Sequence, residues 1–508
     1  MRLFDDLTPD IASDGLDRLL AEYDTRHIDL MDEYESLYDA TVDPIHPKTM
    51  SDLRYQEVKD AWIPVPFLKL IVSKIATMMY GRVVDRTTGS EALDKELRPI
   101  WGMLKRFMPG VCKSAGVLGD GAIRMVPHWQ TGITLTWWGG KQIVPIYDPI
   151  TLDVIGMIYD YIHDPLASQI TRGLGGKGKT RAIREVVTKH IRDQLTGEII
   201  QPGIRARFDG ERRIPWDDTL DPEVDGLNPM GDYLDCVFWK NDDSMNGVRG
   251  DSDAEALQPL LVGINELLVQ GRMIIQYNAY PIITTTAEID GQPSVHAGKL
   301  WQLGVDSTGA PAEMDYLEWS QNITGYMAVL DRLIALLHET SQVPSIAVGD
   351  LEHIGALSSG RAYEVAMSPL LDLVSMREQV YAFQEMELLT LCVAGMAHVG
   401  RFPELTRPTF GVQNMLDYDR VEAMLADAAV EFAPVNVARD ALVDAQVHSI
   451  RIGSGFESEE QAIRATHPDW SDDRILEELK RTGSDAAAAV DTATAVRGQA
   501  LRDKLTAE

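Results

Sequence analysis

The sequence predicts an α+β fold, and three patterns carry that prediction. From Ser320 to Gly400, apolar residues recur every three or four positions through two long helices separated by a proline stop and a polar loop. From Gly119 to Ile158 the period shortens, with runs such as Ile123–Val126, Ile133–Trp137 and Gln142–Tyr147 rich in β-branched and aromatic residues. Between two long helices lies a small Thr- and Gly-rich stretch, residues 282–318, that reads as strands and turns.

Taken in order, the first sixty residues are acidic and helix-prone, with Leu16, Leu19, Leu20 and Tyr23 on one stripe. Pro64 and Pro66 introduce a helix over Phe67–Tyr80, with Leu70, Ile71, Ile75 and Met78 expected inward. Another helix is expected around Leu97–Phe107, after a loop at Thr87–Ser90. Strands then follow, with Gly139-Gly140 as a turn and a hairpin over Val186–Ile200 around Thr196-Gly197. Ser252–Glu255 has the S-x-x-E form of a capping box, in which each side chain satisfies an orphan amide. Leu260, Ile264, Leu267, Leu268 and Ile275 mark the helix it opens, which Pro281 closes. Ile323, Met327, Leu330, Ile334 and Leu337 define the next helix, which Pro344 ends because it lacks an N–H. After the loop Ala347–Gly360, capped by Ser358 or Ser359, comes a stripe through Val365, Leu370, Leu373, Val380, Phe383 and Leu391, bent at Pro369. Helices are expected again at Val421–Glu431, Pro434–Val447, Ser458–Thr466 and Ser471–Arg481.

At 508 residues the chain exceeds one ordinary core, so two or more units are expected. Its 47 basic and 78 acidic residues leave a net charge of −31. Such a field opposes nonspecific adhesion to nucleic acid, whose phosphates bind through Lys and Arg; it also serves solubility. The cysteines Cys112, Cys236 and Cys392 offer no CxxC pair, and Cys236 and Cys392 sit among apolar neighbours as buried thiols. Met1–Asp10 lacks the form of a secretory signal, and Lys69 and Lys74 interrupt the best apolar run, so no membrane span is expected.

Two motifs suggest chemistry. Gly173–Thr180 satisfies G-x-x-x-x-G-K-[ST], but a phosphate-binding loop must leave a buried strand and enter a helix. Its polar approach and hairpin-like sequel favour a Gly/Lys loop at a hairpin tip. Asp242–Asp253 spaces oxygen donors like a calcium loop, although its twelfth residue is Asp rather than Glu; Asx turns are the alternative. The basic cluster Arg172, Lys177, Lys179, Arg181, Arg184, Lys189 and Arg192 is either a solvated loop or a contact for phosphate or an acidic partner. No nucleophile is spaced with a base, so no catalytic residue, metal or cofactor is expected.

Several stretches together resemble a known family: Val65–Val72, Gly119-Asp-Gly121, Asn246–Gly250 leading into Ser252-Asp253 and the helix to Tyr280, Ala297–Trp301, Ser359-Gly360 with the helix reaching Ser368–Leu370, and His467–Ser471. In order and spacing, over residues 45–485, the chain resembles the portal proteins of tailed bacteriophages, of the siphophage type found in phages of actinobacteria. The resemblance implies a portal fold with an α/β wing, a two-helix stem, a small α/β clip insert and a helical crown. It divides the chain into an N-terminal arm (1–29), wing (30–250), first stem helix (251–280), clip (281–319), second stem helix (320–343), tunnel loop (344–360), long wing helix and return (361–414), crown (415–485) and tail (486–508).

That family forms a ring of about twelve subunits at one capsid vertex. Its channel passes double-stranded DNA during packaging and ejection. The implied partners are the terminase large subunit, a head-tail adaptor, the major capsid protein and a scaffold. By position, Asp350, Glu352, His353, Ser358 and Ser359 are the expected channel-facing residues, and Gln292, His296, Lys299 and Trp301 the expected docking residues of the clip. The location implied is the virion, after assembly in the host cytoplasm. Two other readings stand beside it: a P-loop nucleotide enzyme using Gly173–Thr180, and an acidic scaffold or adaptor without an open pore.

Overall fold

A computed structural model describes residues 26–44, 51–128, 130–148, 151–163, 181–192, 196–214, 226–243, 249–279, 282–285, 314–317, 323–349, 360–409, 412–435, 448–452, 454, 458–466, 474–476 and 478–481. It is mixed helix and sheet, as the sequence predicts. Two compact units partition it: residues 1–350 with 369–432, and residues 351–368 with 433–508.

In the first unit, α1 (Arg26–Tyr38), α2 (Asp52–Ala61) and α3 (Phe67–Tyr80) precede β1 (Val84–Thr87) and the long α4 (Glu91–Leu118). The helix expected near Leu97–Phe107 is therefore longer at both ends, running through Pro99 and Pro109. Its buried residues Leu97, Ile100, Leu104, Met108 and Val111 keep a spacing of three and four, and it packs on α3. On α3 the buried stripe is Leu68, Ile71, Val72, Ile75, Ala76 and Met79. Leu70, expected inward, lies on the side of the helix nearly opposite the centre of that stripe and is exposed.

Two antiparallel sheets follow. β2 (Asp120–His128) pairs with β3 (Gly132–Gly139) and with β11 (Cys236–Lys240). The second sheet has the order β10-β9-β6-β5-β4, from β4 (Ile143–Tyr147), β5 (Val154–His163), β6 (Arg181–Thr188), β9 (Arg205–Asp209) and β10 (Arg212–Ile214). Ala122, Cys236 and Phe238 of the first sheet share a core with Ile143, Met157, Tyr159 and Val187 of the second. Ile146, Ile155, Ile158, Val186, Ile204, Ala206 and Phe208 form another core. Because side chains alternate across a strand, neighbours such as Met157 and Ile158 enter different cores. The predicted Val186–Ile200 hairpin is corrected: Val186 belongs to β6, and β7 (Ile191–Arg192) alone pairs with β8 (Ile199–Gln201) around Gly197 at φ +71°.

The helix opened by Ser252 is α5 (Asp253–Ala279). It leads to β12 (Ile282–Thr285), which pairs antiparallel with β13 (Met314–Leu317), and α6 (Ile323–Ser341) then packs back along α5. The Gly271 N–H donates to the Tyr326 hydroxyl at 3.0 Å where the helices meet, and a Cβ at Gly271 would lie 2.8 Å from that ring. Buried positions are Ala254, Leu257, Leu261, Ile264, Val269 and Met273 on α5 and Leu330 and Leu337 on α6. Ile275 and Met327 were expected on the inner stripes and are exposed, as is Val329.

After Pro344 a short 3₁₀ turn, Ser345–Val348, ends at Gly349 with φ +101°. The 39-residue α7 (Gly360–His398) runs through Pro369. Its buried side is Met367, Leu370, Val374, Arg377, Tyr381, Gln384, Glu385 and Leu388, whereas Val365 and Phe383 are exposed. The expected stripe followed the apolar residues alone; the actual inward face carries charge. β14 (Thr406–Thr409) and β15 (Val412–Leu416) pair, followed by α8 (Tyr418–Met424) and β16 (Ala429–Phe432). The single helix expected over Val421–Glu431 is thus a short helix and a strand. β16 pairs with β1, and that distant partner overrides local helix propensity.

In the second unit, α9 (Glu459–Thr466) opens at a complete capping box. The Ser458 N–H donates to Gln461 Oε1 at 3.1 Å, and the Gln461 N–H donates to Ser458 Oγ at 3.2 Å. Leu16, Leu19, Leu20 and Tyr23, and the helix expected over Pro434–Val447, lie outside the described residues.

Candidate functional site

Two glycine-containing stretches of the sequence, Gly119-Asp-Gly121 and Arg249–Asp253, meet in the first unit and form the joint from which α5 departs. Gly119 stands at φ +89°, and a Cβ there would lie 2.5 Å from the Gly250 carbonyl oxygen. A Cβ on Gly250 would lie 2.2 Å from the Gly119 carbonyl oxygen. Only glycine permits backbones to approach this closely. The Asn241 N–H donates to Gly119 O at 2.8 Å, so the end of β11 closes on the same point.

Charges then lock the joint. Arg249 Nη1 donates to Asp120 Oδ1 at 2.7 Å, and the Gly250 N–H donates to Asp120 Oδ2 at 3.3 Å. Burial pushes the Asp120 carboxyl up to about 8, against the lowering influence of the Gly250 N–H and of Lys240, and burial pushes the Arg249 guanidinium down to about 9. Ser252 Oγ donates to Val117 O at 2.5 Å and accepts the Ala254 N–H at 3.0 Å. Ser252 therefore caps α5 and ties it to α4.

From α7, Arg377 reaches Asp253, the first residue of α5, through both terminal nitrogens; Nη1 to Oδ2 is 3.1 Å. Both side chains are less than one tenth exposed. Burial works against the Arg377 charge, and Asp253 more than compensates, holding that guanidinium above its ordinary range. Asn241 donates to Asp253 Oδ1 at 3.0 Å and accepts from Arg377 at 3.1 Å and from the Tyr381 hydroxyl at 3.2 Å.

Asp253, the twelfth position of the calcium motif, is committed to Arg377 and Asn241, whereas residues 244–248 of that motif lie outside the described residues. The P-loop match is answered at its flanks. β5 ends at His163 and β6 begins at Arg181, paired directly with it, so the connection containing Gly173–Thr180 joins two antiparallel strands. The chain after Thr180 is a strand, not the helix that a phosphate-binding loop requires. Of the basic cluster, Arg184 pairs with Asp160 and Arg192 with Asp232.

The expected channel residues Asp350, Glu352, His353, Ser358 and Ser359, and the docking residues Gln292, His296, Lys299 and Trp301, lie outside the described residues. The residues that build the joint, Asp120, Asn241, Arg249 and Arg377, were not singled out from the sequence. Their signal was present in part, because Gly119-Asp-Gly121 and Arg249–Asp253 belong to the stretches that carry the family resemblance. All three cysteines are buried. Among the described residues no helix is long and apolar enough to cross a membrane.

No protein-family model matches the sequence, and no curated protein does. Among solved structures, a chain in the neck of a native gene transfer agent (GTA) particle, computed with C12 symmetry, is similar at TM-score 0.40 and 13% identity, covering 84% of this chain and 96% of that one. A chain in the neck of an empty GTA particle, computed with C6 symmetry, is similar at TM-score 0.41 and 14% identity, covering 84% and 95%.

Proposed function

We propose that this chain is a phage portal subunit, which assembles with copies of itself into a ring at one capsid vertex and surrounds a channel for double-stranded DNA. In this role it docks the terminase large subunit during packaging and a head-tail adaptor afterwards, and it contacts the major capsid protein. The observation that carries the reading is the helix pair α5 and α6. The chain runs out along α5, turns through β12 and β13, and returns along α6, while a buried ion-pair joint fixes where α5 starts. Ile275, Met327 and Val329 remain exposed on that pair, and neighbouring subunits in a ring would cover them. The role asks no bond-making chemistry of the chain; a separate ATPase would drive translocation.

Electron microscopy of the purified full chain tests this directly. Rings with an open centre are expected, and a chain that stays monomeric at high concentration overturns the proposal. Oligomers without a pore would instead favour the scaffold or adaptor reading. Shortening the connection between Ala347 and Gly360 should spare rings and impair DNA packaging or retention.

A further inference from the structure

Two surface features of the first unit have no function in the fold, and they are complementary. One is cationic. From residue 97 through 119 the chain carries Arg98, Lys105, Arg106 and Lys113 and no carboxylate, within a protein of net charge −31. Arg98, Lys105 and Arg106 are exposed on the side of α4 turned away from Leu97, Leu104 and Val111. Among the described residues none of these three has a carboxylate partner. Between them Gly102 leaves a notch: a Cβ built there would meet no atom within 4 Å.

The other feature is apolar with an acid at one end. On α7, Met376 and Phe383 are 67% and 68% exposed, with Asp372 and Gln379 exposed on the same side. Arg98 to Lys105 and Met376 to Phe383 are both seven-residue steps, about 10.5 Å along a helix. Guanidinium and ammonium groups can pair with a carboxylate and also lie over an aromatic face, so the cationic side suits both Asp372 and Phe383.

The two faces cannot meet within one subunit. Inner faces of α4 and α7 are joined by the Tyr381 hydroxyl, 3.8 Å from Cys112 Sγ. Asp372, Met376 and Phe383 stand on the opposite side of α7 from Tyr381, while the cationic face points away from the core side of α4. Two different, complementary patches on opposite flanks define a head-to-tail contact, which closes into a ring when the rotation allows. Subunits of charge −31 also repel one another, so association favours a place where one of them presents cations.

We infer that the α4 face of one subunit, with Arg98, Lys105 and Arg106, packs on the α7 face of the next, with Asp372, Met376 and Phe383. The inference rests on the ring reading above and names the surfaces that make it. Mass photometry and negative-stain microscopy of the full chain test it with two variants, R98E/K105E/R106E and M376E/F383E. Each is expected to weaken assembly at least tenfold while keeping the wild-type circular dichroism and melting temperature, since every changed residue is exposed. A direct measurement is a third variant, K105C/Q379C, treated with a short bismaleimide. It should yield a ladder of covalent multimers, and the three buried native cysteines should yield none. If wild-type rings form and both charge variants form them equally well, with no ladder, the inference fails and the ring reading stands. If the α4 variant keeps its rings but loses retention of packaged DNA, the cationic face serves the duplex instead and the inference again fails. A wild-type chain that never assembles overturns both.

Discussion

Arg377, in the middle of the long helix α7, closes a two-pronged ion pair on Asp253, the first residue of α5. The pair joins elements 124 residues apart in sequence and is almost wholly removed from water. Removing one partner leaves a buried charge uncompensated, which costs about 3–5 kcal/mol. Arg377→Leu is therefore expected to lower unfolding free energy by that amount in urea denaturation. Adding Asp253→Asn should recover part of the loss, because the orphaned charge disappears. A loss under about 0.5 kcal/mol, the range of ordinary surface changes, would show that the pair is incidental.

Gly250 is a steric prediction. A Cβ 2.2 Å from a backbone oxygen cannot be accommodated by moving a side chain. Gly250→Ala should therefore open the joint and cost several kcal/mol, on the order of the largest single-residue effects. Gly102→Ala, where the same atom meets open space, is the matched control and should be neutral or stabilising. Equal behaviour of the two variants in thermal melts would refute the close approach.

His190 makes stability depend on pH. Its Nδ1 accepts the Gly203 N–H at 2.7 Å, which requires an unprotonated nitrogen, and burial holds its pKa below the ordinary 6.5. As pH falls through 6.5 the unfolded chain takes up a proton that the folded protein resists. Stability should therefore decline as pH drops below about 6.5 toward the depressed folded value. Melting temperatures between pH 7.5 and 5.5 should fall less steeply in His190→Gln; parallel curves would dismiss the role of this residue.

Glu185 acts in a more acidic window. It is fully buried, and burial alone would raise its pKa; the Arg124 and Arg207 guanidiniums and the Tyr161 hydroxyl outweigh that and hold it below 4.5. Its stabilising contribution is present above that value and is lost as pH falls through the folded pKa. Glu185→Gln removes the carboxylate that Arg124 and Arg207 share, while Arg124 keeps Asp235 at 2.7 Å, so a loss of about 1–3 kcal/mol is expected near neutrality. The gap from wild type should narrow under acid; a gap constant down to pH 3 would contradict the assignment.

Where local chemistry decides, the sequence was legible. α3 spans Phe67–Tyr80, the range expected after Pro64 and Pro66, and α9 falls within the helix expected over Ser458–Thr466. Where a distant partner decides, it was not. Ala429–Phe432 became a strand because β1 lay open to pair with it. The inward side of α7 was misread because Arg377, Gln384 and Glu385 occupy it, and a polar residue signals burial only once its partner is known. Of the candidate site, the glycines of the joint were visible as motif, but their mutual approach was not, since nothing local links Gly119 to Gly250.

The pairing of β5 with β6 continues to His163 opposite Arg181. The sheet therefore fixes both ends of the connection 164–180. Loop-closure entropy rises only with the logarithm of length, about 0.6 kcal/mol per doubling. A change in the length of this segment is then expected to carry little loop-closure penalty, so a fluorescent domain or affinity handle spliced there should leave the strands on either side in register.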